Sequence, residues 1–571
     1  MSEVKKVKNE YIKESSDGLR GTIHQEIQDK SSTKFTADNV QLLKFHGIYQ
    51  QDDRDKRQEL KKEGLDREYI FMIRTKNPGG GNITPDQWNA LNQISNQWSD
   101  GSLRITTREC FQLHGIGKTN LWNTLNSLNK NLISSYGACG DIVRNTVASP
   151  ISDVREDYSY NAQALAREID KATLAQSRGY YEIWVDGQKV TTKINRDKIE
   201  KDDLYKEDYL PRKFKIGVGH QLDNSIDIYT HDIGIMPIID GELIGLNILV
   251  GGGLGSHHRQ SQTFPRLADE LGMCEEKDII KVVRKIIEIQ RDHGCRTNRK
   301  RARMKYLLDE WGVEKFRDEL ESRLGFSLKD YYKIVPSTID DYYGWNKQKQ
   351  DGKFYCGIFV ENGRIKDKNS VMLKSGLTEI ISKFKVESRL TATQDFIMVN
   401  IDESDVPKIS DMLKQFNIDT NEKYSTLRKA SMACPAFPTC GLAIAEAERF
   451  LPFLIDDLEE RGYGNEKIKI RMSGCPNSCS RPPVSEIGII GASVRKYNIY
   501  LGGDFYGRRL NRLFLELVDD TELANKISRL IDYWKAKLHG VSQIKVAVYH
   551  NDAIDFLCIL SILWSLKKIP V

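Results

Sequence analysis

Hydrophobic and polar residues follow two different periods along this chain, and each period predicts one type of element. Short runs rich in β-branched residues, typical of strands, alternate with longer stretches in which apolar residues recur at helical spacing. Lys281–Gln290 and Ala443–Glu460 are two stretches with the helical pattern. The mixture predicts an α+β protein. No long Pro- or Ser-rich linker separates its parts, so we expect the domains to pack closely.

Two internal echoes predict that this architecture is duplicated. The first repeats an Arg-x-Thr segment and the phenylalanine after it, 285 positions further on: Arg104–Thr107 with Phe111, and Arg389–Ala392 with Phe396. The second repeats an acidic residue before Ile-Gly-Ile, and an Asn-Ile segment that ends in two glycines: 232–235 with 247–252, and 486–489 with 498–503. Two echoes in the same order favour gene duplication over chance.

Length and charge exclude several classes of protein. At 571 residues the chain exceeds what one hydrophobic core usually supports, so we expect two to four domains. The 85 basic and 80 acidic residues are too evenly balanced for a nucleic-acid binder or a polybasic membrane anchor. Residues 1–14 lack the apolar core of a secretory signal, and the longest apolar stretch, 553–566, is too short to span a bilayer. We therefore expect a cytoplasmic protein with neither a membrane nor a nucleic acid as its partner.

Four of the ten cysteines are grouped. Five residues separate Cys434 from Cys440, and three separate Cys475 from Cys479. Cytoplasmic thiols stay reduced, so such grouping indicates a metal or catalytic site rather than disulfides. Four thiolates are the usual ligands of an iron–sulfur cluster, and both pairs lie in proline-containing turns. The other six cysteines are scattered singly, and we expect most of them to be small buried apolar groups.

The alternative for the grouped cysteines is a structural zinc site. Zinc sites favour two to four residues between paired cysteines, which is fewer than the five after Cys434.

We also expect Cys440 to lead directly into a helix that begins near Leu442. The positive end of that helix would stabilise thiolates and an anionic cluster.

A run of alternating residues at 104–114 predicts one strand with a polar face. The side chains on that face are Arg104, Thr106, Arg108, Cys110, Gln112 and His114. The alternative is a half-buried strand whose polar face is merely solvated. A second alternation at 212–215 places Lys213 and Lys215 on one side. Such a lysine pair is usually just exposed, and it gains significance only if both runs converge on an anion.

The segments Ser431–Cys440 and Arg471–Cys479 resemble the cysteine motifs of the sirohaem-containing sulfite and nitrite reductases. The likeness runs from about Leu19 to about Trp534, and it is greatest to the haemoprotein (beta) subunits of NADPH-dependent sulfite reductases. Three further stretches favour the sulfite branch: His46–Asp55, Tyr209–Lys215 and Ala445–Leu451. Ser478 and Ser480 depart from the family pattern, since they stand where we would expect glycine and another small residue.

The resemblance implies cofactors and a set of site residues. It implies a [4Fe–4S] cluster coupled to a sirohaem through one shared thiolate, which at the motif position is Cys479. The cluster ligands would be Cys434, Cys440, Cys475 and Cys479. Sulfite would bind the open face of the haem iron among four basic side chains, which here are Arg74, Arg144, Lys213 and Lys215. The sirohaem carboxylates would face Arg104, Thr106, Arg108, Gln112 and His114, with Arg212 and Asn477 as further candidates.

The resemblance also implies a fold. Duplicated ferredoxin-like half-domains and two related α/β domains would surround the sirohaem with pseudo-twofold symmetry. The expected domains are an N-terminal arm (1–64), half-domain 1 (65–135), a first α/β sirohaem-binding domain (136–336), half-domain 2 (337–413) and a [4Fe–4S]/sirohaem-binding domain (414–571). After Trp534 the chain no longer resembles the family. We expect the apolar run Phe556–Leu566 either to pack on the cluster-bearing domain or to be disordered, without a role in catalysis.

The expected function is that of the haemoprotein component of an assimilatory sulfite reductase, which reduces sulfite to sulfide with six electrons. One alternative is a sirohaem nitrite reductase that makes ammonia from nitrite. Another is a ferredoxin-dependent sulfite reductase. A different class would be an electron carrier or iron–sulfur scaffold without catalysis, but basic residues such as Arg74 and Lys213 would have no purpose there.

The electron donor is not encoded in this chain. No Gly-x-Gly-x-x-Gly follows a predicted strand, and Gly251–Gly255 is a poor match to a nucleotide-binding fingerprint. The resemblance implies that a separate flavoprotein (alpha) subunit delivers electrons from NADPH. NADPH and flavins would then act only through that partner. Ferredoxin is the alternative donor.

Overall fold

The computed structural model describes residues 6–177, 183–185, 188–190, 202–334, 342–421 and 423–541. The run Phe556–Leu566 lies outside these residues, so the prediction for it stays a prediction. The internal contacts divide the chain into two compact units. The first is Met1–Lys423 with Pro438–Gly441, and the second is Tyr424–Phe437 with Leu442–Val571. In the described part of the chain, no helix is both long and apolar enough to cross a membrane.

The N-terminal part of the first unit combines short helices with an antiparallel sheet. Its longest helix starts with a capping box, because the Thr84 side chain accepts a hydrogen bond from Gln87 N while the Gln87 side chain binds the cap amide. Pro85 occupies its first turn, where a missing N–H costs nothing. The elements are α1 (Lys8–Glu14), α2 (Ile23–Gln28), α3 (Ala37–Leu43), β1 (Ile48–Asp52), α4 (Arg57–Lys62), β2 (Tyr69–Arg74), α5 (Pro85–Trp98), β3 (Leu103–Ile105), β4 (Phe111–Ile116) and α6 (Leu121–Lys130).

The middle part of the first unit is an α/β region. Its elements are β5 (Val147–Ala148), α7 (Ala162–Ala172), β6 (Ile183–Val185), β7 (Gln188–Val190), β8 (Ile216–Val218), β9 (Ile233–Asp240), β10 (Glu242–Val250), β11 (Asp269–Cys274), α8 (Ile279–His293), α9 (Met304–Trp311) and α10 (Val313–Leu324). One sheet has the order β11-β10-β9-β8-β5, with β5, β8 and β9 parallel. The helix predicted at Lys281–Gln290 is confirmed as α8, whose apolar face is buried.

The C-terminal part of the first unit is a second helix-covered sheet. Its elements are β12 (Gly344–Lys347), β13 (Lys353–Ile358), β14 (Arg364–Ile365), β15 (Asp367–Lys368), β16 (Val371–Met372), α11 (Leu373–Phe384), β17 (Glu387–Leu390), β18 (Phe396–Asp402) and α12 (Val406–Gln415). The sheet order is β12-β13-β18-β17, while β14 joins the N-terminal sheet as β1-β2-β4-β3-β14. The two sheets share one hydrophobic core, in which the Trp88 ring lies 6.1 Å from Phe111 and 5.2 Å from Phe396.

The second unit is built on one mixed sheet. Its elements are α13 (Thr426–Ala430), β19 (Met432–Ala433), α14 (Leu451–Glu460), β20 (Ile470–Ser473), β21 (Ile487–Ser493), β22 (Lys496–Leu501), β23 (Arg512–Asp519) and α15 (Leu523–Val541). The strand order is β19-β20-β21-β22-β23. Strands β19, β20 and β21 are parallel, and the last two pairs are antiparallel.

The first echo marks two equivalent hairpins. β3 and β4 in one sheet match β17 and β18 in the other. Each turn is closed by the same backbone hydrogen bond, from Thr106 N to Cys110 O at 2.9 Å and from Thr391 N to Asp395 O at 3.1 Å. The residue before the closing position has a positive φ in both turns, 53° and 77°. The predicted duplication of the half-domains is therefore confirmed.

The second echo marks two equivalent α/β sheets. Both have a parallel three-stranded edge followed by two antiparallel strands. Even a side-chain contact is repeated: Asp232 Oδ2 accepts a hydrogen bond from Lys215 N at 2.8 Å, and Glu486 Oε2 accepts one from Lys469 N at 3.0 Å. The prediction of two related α/β regions is confirmed.

Two local predictions are wrong. Residues 104–114 do not form one strand, because the chain turns between β3 and β4. The helix predicted from Ala443 begins only at Leu451, with Pro452 in its first turn. Upstream of Leu451 the amides of Ile444 and Ala445 both bind Gly474 O, at 2.8 and 3.1 Å. Tertiary hydrogen bonds have thus replaced helical ones, which helix propensity alone could not predict.

Candidate functional site

Three of the four grouped cysteines lie in the second unit, in loops that follow neighbouring strands. Cys434 comes directly after β19, and Cys475 comes two residues after β20. Because these strands are parallel, their carboxyl ends lie side by side and bring the two loops together. Cys434 and Cys475 are buried, whereas Cys479 is exposed.

Hydrogen-bond donors point at the sulfur atoms of these loops. Gly474 N donates to Cys434 Sγ at 3.3 Å, and Asn477 Nδ2 donates to Cys475 Sγ at 3.5 Å. Such donors stabilise thiolates and tune a cluster bound to them. Ser478 has a φ of 55°, a left-handed conformation that costs glycine nothing, which explains why glycine is expected at this position.

The segment expected to be a helix instead closes over the Cys434 loop. In addition to the two amides bound to Gly474 O, Glu448 N donates to Cys434 O at 3.0 Å. A helix N-terminus therefore does not follow Cys440, and no helix dipole acts there. The amide of Gly474 donates to a cysteine sulfur, whereas the amides of Ile444, Ala445 and Glu448 donate to carbonyl oxygens.

Cys440 belongs to the first unit, where it is half-buried. Its turn is held by Arg54, whose backbone N donates to Pro438 O at 3.0 Å and whose Nη1 donates to Cys440 O at 3.1 Å. The sequence suggested no role for Arg54 beyond a place in a stretch that favours the sulfite branch.

Half of the predicted polar face exists, as a row across neighbouring strands rather than along one strand. Arg74 on β2 pairs in register with Gln112 on β4, Gln112 pairs with Arg104 on β3, and Arg104 pairs with Arg364 on β14. Residues directly opposite each other share a face of the sheet. His114, two residues after Gln112, lies on the same face. The row thus joins three guanidinium groups and an amide.

Thr106 and Arg108 do not continue this row, because they lie in the hairpin turn. The Arg108 guanidinium donates to Ile216 O at 2.9 Å and contacts His231 Nδ1 at 2.8 Å. Thr106 Oγ1 accepts a hydrogen bond from Arg108 N at 3.1 Å. Both residues are buried. The structure therefore ties Arg108 to the neighbouring α/β sheet.

Arg74 and Arg144 share one neighbour, Tyr49, and Arg74 also contacts Cys139; sequence reasoning missed both neighbours. Arg74 Nη1 lies 3.5 Å from Cys139 Sγ. Burial, together with Cys139, raises the pKa of Tyr49 to about 12, although Arg144 and Arg74 both act to lower that pKa. The two arginines therefore lie on one region of the first unit. Cys139 is buried, as expected, and it contacts Arg74.

Arg144 stiffens the loop that carries it. Its Nε donates to Gly140 O at 2.8 Å and its Nη1 to Ala138 O at 3.2 Å. Within the same loop, Asp141 binds Arg299 through two hydrogen bonds, of 2.7 and 3.0 Å. Although burial acts to raise it, Arg299 and Lys13 hold the pKa of Asp141 at about 2. A negative charge is therefore fixed beside Arg144 and cannot be lost near neutral pH.

Lys213 and Lys215 lie on one side of the segment before β8, as predicted. Both are half-buried, and Phe214 between them is buried. Arg212, which is 3.9 Å from Asp141, has its pKa lowered to about 10 by burial and by nearby arginines that include Arg144.

Two further basic groups near these residues were not predicted. Burial, Arg303 and Lys213 lower the pKa of Lys305 to about 6. Burial and the cations Arg212 and Lys213 also lower the pKa of His257. Burial is the largest cause of both shifts, and the neighbouring cations add to it.

The arrangement fits the two expected cofactors. An anionic tetrapyrrole with many carboxylates needs several basic partners, and Arg104 supplies a guanidinium group suited to them. The thiols of Cys434 and Cys475 with their N–H donors suit an iron–sulfur cluster. In the described part of the chain, no three or more His, Cys, Asp or Glu side chains are grouped so that they could hold a metal ion.

Comparison with known proteins defines the class. A model described as the nitrite/sulfite reductase ferredoxin-like half domain matches residues 63–131 and 346–416. A second model, described as the nitrite and sulphite reductase 4Fe-4S domain, matches residues 139–328. The chain therefore belongs to the nitrite and sulfite reductase family, as the cysteine motifs predicted.

Relatives within the family point to one branch. The sulfite reductase [NADPH] hemoprotein beta-component of Oceanobacillus iheyensis is 41% identical over 534 residues, 92% of this chain and 91% of that protein. The protein of the same name from Staphylococcus haemolyticus is 41% identical over 537 residues, 93% of this chain and 92% of its own length. The subunit beta of sulfite reductase [NADPH] from Schizosaccharomyces pombe is 41% identical, covering 93% of this chain and 37% of that longer protein.

A solved structure confirms the fold. The NirA protein of Mycobacterium tuberculosis superimposes with a TM-score of 0.72 and covers 92% of both chains. At 22% sequence identity this likeness concerns the architecture alone. The predicted α+β fold, with its duplicated ferredoxin-like half-domains, is confirmed.

Proposed function

We propose that this chain is the haemoprotein component of an assimilatory sulfite reductase, which reduces sulfite to sulfide. The observation that carries the proposal is that Cys434 and Cys475 follow adjacent parallel strands, with N–H donors on both sulfur atoms. The relatives from Oceanobacillus and Staphylococcus, which match over more than nine-tenths of the chain, support the same activity.

When bound, a [4Fe–4S] cluster and a sirohaem joined through a shared thiolate would supply electrons one at a time to a substrate on the haem iron. Cys434, Cys440, Cys475 and Cys479 would hold the cluster, and Cys479 would be the shared ligand. Arg104, Gln112 and His114 would face the sirohaem carboxylates, with Arg212 and Asn477 beside them. Thr106 and Arg108, which lie in the hairpin turn between β3 and β4, would also face the sirohaem.

Arg74, Arg144, Lys213 and Lys215 would bind the substrate. Sulfite is a dianion, so a planar guanidinium orients its oxygens while a compact ammonium neutralises their charge. The loop bonds of Arg144 to Gly140 O and Ala138 O support this role, because they hold the guanidinium in place before substrate arrives.

The lysines are the better proton donors of the four. Oxygens that leave sulfite as water need protons, and an arginine stays protonated at all accessible pH values. A lysine among other cations releases its proton more easily. The lowered pKa of Lys305, to which Lys213 contributes, supports the presence of such a field near Lys213.

Electrons would come from a separate flavoprotein (alpha) subunit that oxidises NADPH, and ferredoxin is the alternative donor. The protein would work in the cytoplasm, with sulfite as its small-molecule substrate. We also propose the domain boundaries inferred from the sequence: 1–64, 65–135, 136–336, 337–413 and 414–571. Nitrite reduction is the nearest alternative activity, since the same cofactors support it.

The absorption spectrum of the anaerobically purified protein tests the proposed cofactors. A haem-type band with shoulders, together with iron and acid-labile sulfide in the ratio of a four-iron cluster, is the expected result. A broad iron–sulfur shoulder alone would indicate a scaffold without sirohaem. Assays with a flavoprotein reductase plus NADPH, and with reduced ferredoxin, then identify the donor.

A further inference from the structure

The turn that carries Cys440 contacts Arg54, a residue 386 positions earlier in the sequence. Arg54 binds two carbonyl groups of this turn, through its backbone N to Pro438 O at 3.0 Å and through Nη1 to Cys440 O at 3.1 Å. The turn itself, 437–439, is not part of a helix or strand. Two hydrogen bonds from one residue to carbonyls two positions apart fix both the place and the direction of the turn.

Arg54 is itself held rigidly, so its two hydrogen bonds have a fixed origin. It follows β1, whose last residue, Asp52, is buried and accepts two hydrogen bonds from Arg57 at 2.6 Å each. Asp53 Oδ1 accepts hydrogen bonds from the backbone of Asp55 at 3.0 Å and of Lys56 at 3.4 Å. This is the arrangement of an Asx turn. The backbone around Arg54 is thus fixed by side chains on both sides.

The Arg54 guanidinium also acts electrostatically on Cys440. Its Nη1 donates to Cys440 O at 3.1 Å, and arginine keeps its charge at all accessible pH values. A permanent positive charge is therefore hydrogen-bonded to the backbone carbonyl of a proposed cluster ligand.

We propose that Arg54 is a positioning residue for the iron–sulfur cluster, which clamps the Cys440 turn and raises the reduction potential of the cluster. This inference rests on the proposed function, since it takes Cys440 as a cluster ligand. A reduced cluster carries one more negative charge than an oxidised one, so a nearby cation favours reduction. Arg54 therefore makes reduction of the cluster more favourable. It also slows the release of the iron that Cys440 would bind.

Two variants of Arg54 separate these effects, and Arg67→Gln is the matched control. Arg54→Gln removes the charge and the planar fork, whereas Arg54→Lys keeps the charge but loses the fork geometry. Arg67 is 54% exposed and lies 4.0 Å from Asp52, so Arg67→Gln removes a positive charge near Arg54 without touching the turn. The measurements on each holoenzyme are the midpoint potential of the cluster, by EPR-monitored titration, and the rate of iron release to a chelator.

We expect Arg54→Gln to shift the reduction equilibrium three- to tenfold toward the oxidised cluster, up to about 59 mV for a one-electron couple. Iron release should accelerate by a similar factor. Arg54→Lys should keep the potential but lose iron faster, and Arg67→Gln should match wild type in both. If Arg54→Gln does not fold, the iron-release rate of Arg54→Lys tests whether Arg54 holds the Cys440 turn: faster release supports this role, and an unchanged rate contradicts it.

Unchanged potential and unchanged iron release in both Arg54 variants would overturn the inference. A wild-type protein without a four-iron cluster would instead contradict the proposed function. The two failures are therefore distinguishable. A normal potential with faster iron release in Arg54→Gln would refute the electrostatic part and leave the clamp.

Discussion

Gly474 lies where the two cysteine loops of the second unit meet, and Gly474→Ala tests whether that meeting is essential. Gly474 N donates to Cys434 Sγ, and Gly474 O accepts hydrogen bonds from Ile444 and Ala445. A Cβ at this position would lie 2.4 Å from Ala445 O and 2.7 Å from the Ala436 Cβ. Both distances are far shorter than real Cβ contacts, and one obstacle is backbone, which cannot rotate away.

The cost of the methyl group can be worked from these contacts. Overpacking of a filled site costs about 1–3 kcal/mol, and each hydrogen bond lost as the loops separate costs about 0.5–1.5 kcal/mol. With one or two bonds lost, the substitution destabilises the closed loops by about 1.5–6 kcal/mol. That is roughly tenfold or more in the equilibrium between closed and open loops, since 1.4 kcal/mol is tenfold. We expect Gly474→Ala to lose most of its cluster.

Gly441→Ala is the matched control, because Gly441 adjoins Cys440 but a Cβ there would meet nothing within 4 Å. The assay is iron and acid-labile sulfide per chain in anaerobically purified protein, with the thermal midpoint of each variant. Gly441→Ala should keep full cluster content. Full cluster content in Gly474→Ala would refute the view that the close contact of these loops builds the cluster site.

Three further predictions concern the site and the second unit. Lys213→Met and Lys215→Met should each lower the rate of sulfite reduction by a factor of about 10²–10³, the usual effect of one lost charge-assisted contact at an oxyanion. Their cofactor content should stay near normal. Near-normal rates would instead show that the two lysines are solvent-exposed residues without a role in catalysis. Cys479→Ser should abolish turnover and the magnetic coupling between cluster and haem, because a serine oxygen is a poor bridge, and full turnover with both cofactors loaded would end that assignment. Burial and Asp504 raise the pKa of Glu486 from 4.5 to about 7, so the native state holds a proton that the unfolded chain releases, and stability falls as the pH rises from 4.5 to 7. Glu486→Gln should remove this pH dependence and be more stable than wild type at pH 8 by up to about 3 kcal/mol, as its thermal midpoint across pH will show; an unchanged slope would contradict the role of Glu486.

The sequence was most informative about the cluster ligands and the duplicated fold, because paired cysteines and repeated segments are visible in the sequence itself. Paired cysteines at 434–440 and 475–479 indicated a cluster, and the echoes at Arg104 and Asp232 indicated a duplication that the sheets confirm. Each cysteine pair and each repeated segment is a short stretch of sequence. It can be recognised without knowing its contacts or the exact bounds of a helix or strand.

Predictions failed where distant residues decide the local structure. Ala443–Glu448 has helical composition, but its amides bind Gly474 O and Cys434 O instead. The alternation at 104–114 is real, yet it is split by a turn in which the φ of Glu109 is 53°. The roles of Cys139 and Arg54 depend on partners more than 60 residues away, so no pattern along the chain marked them.

The stoichiometry of sulfite reduction tests the central claim most directly. The purified protein, supplied with sulfite and reduced methyl viologen under anaerobic conditions, should oxidise six viologen radicals for each sulfide released, without free intermediates. The same assay with nitrite and ammonia measures the alternative activity. Reduction of nitrite without any sulfide from sulfite, in protein that carries both cofactors, would contradict the account.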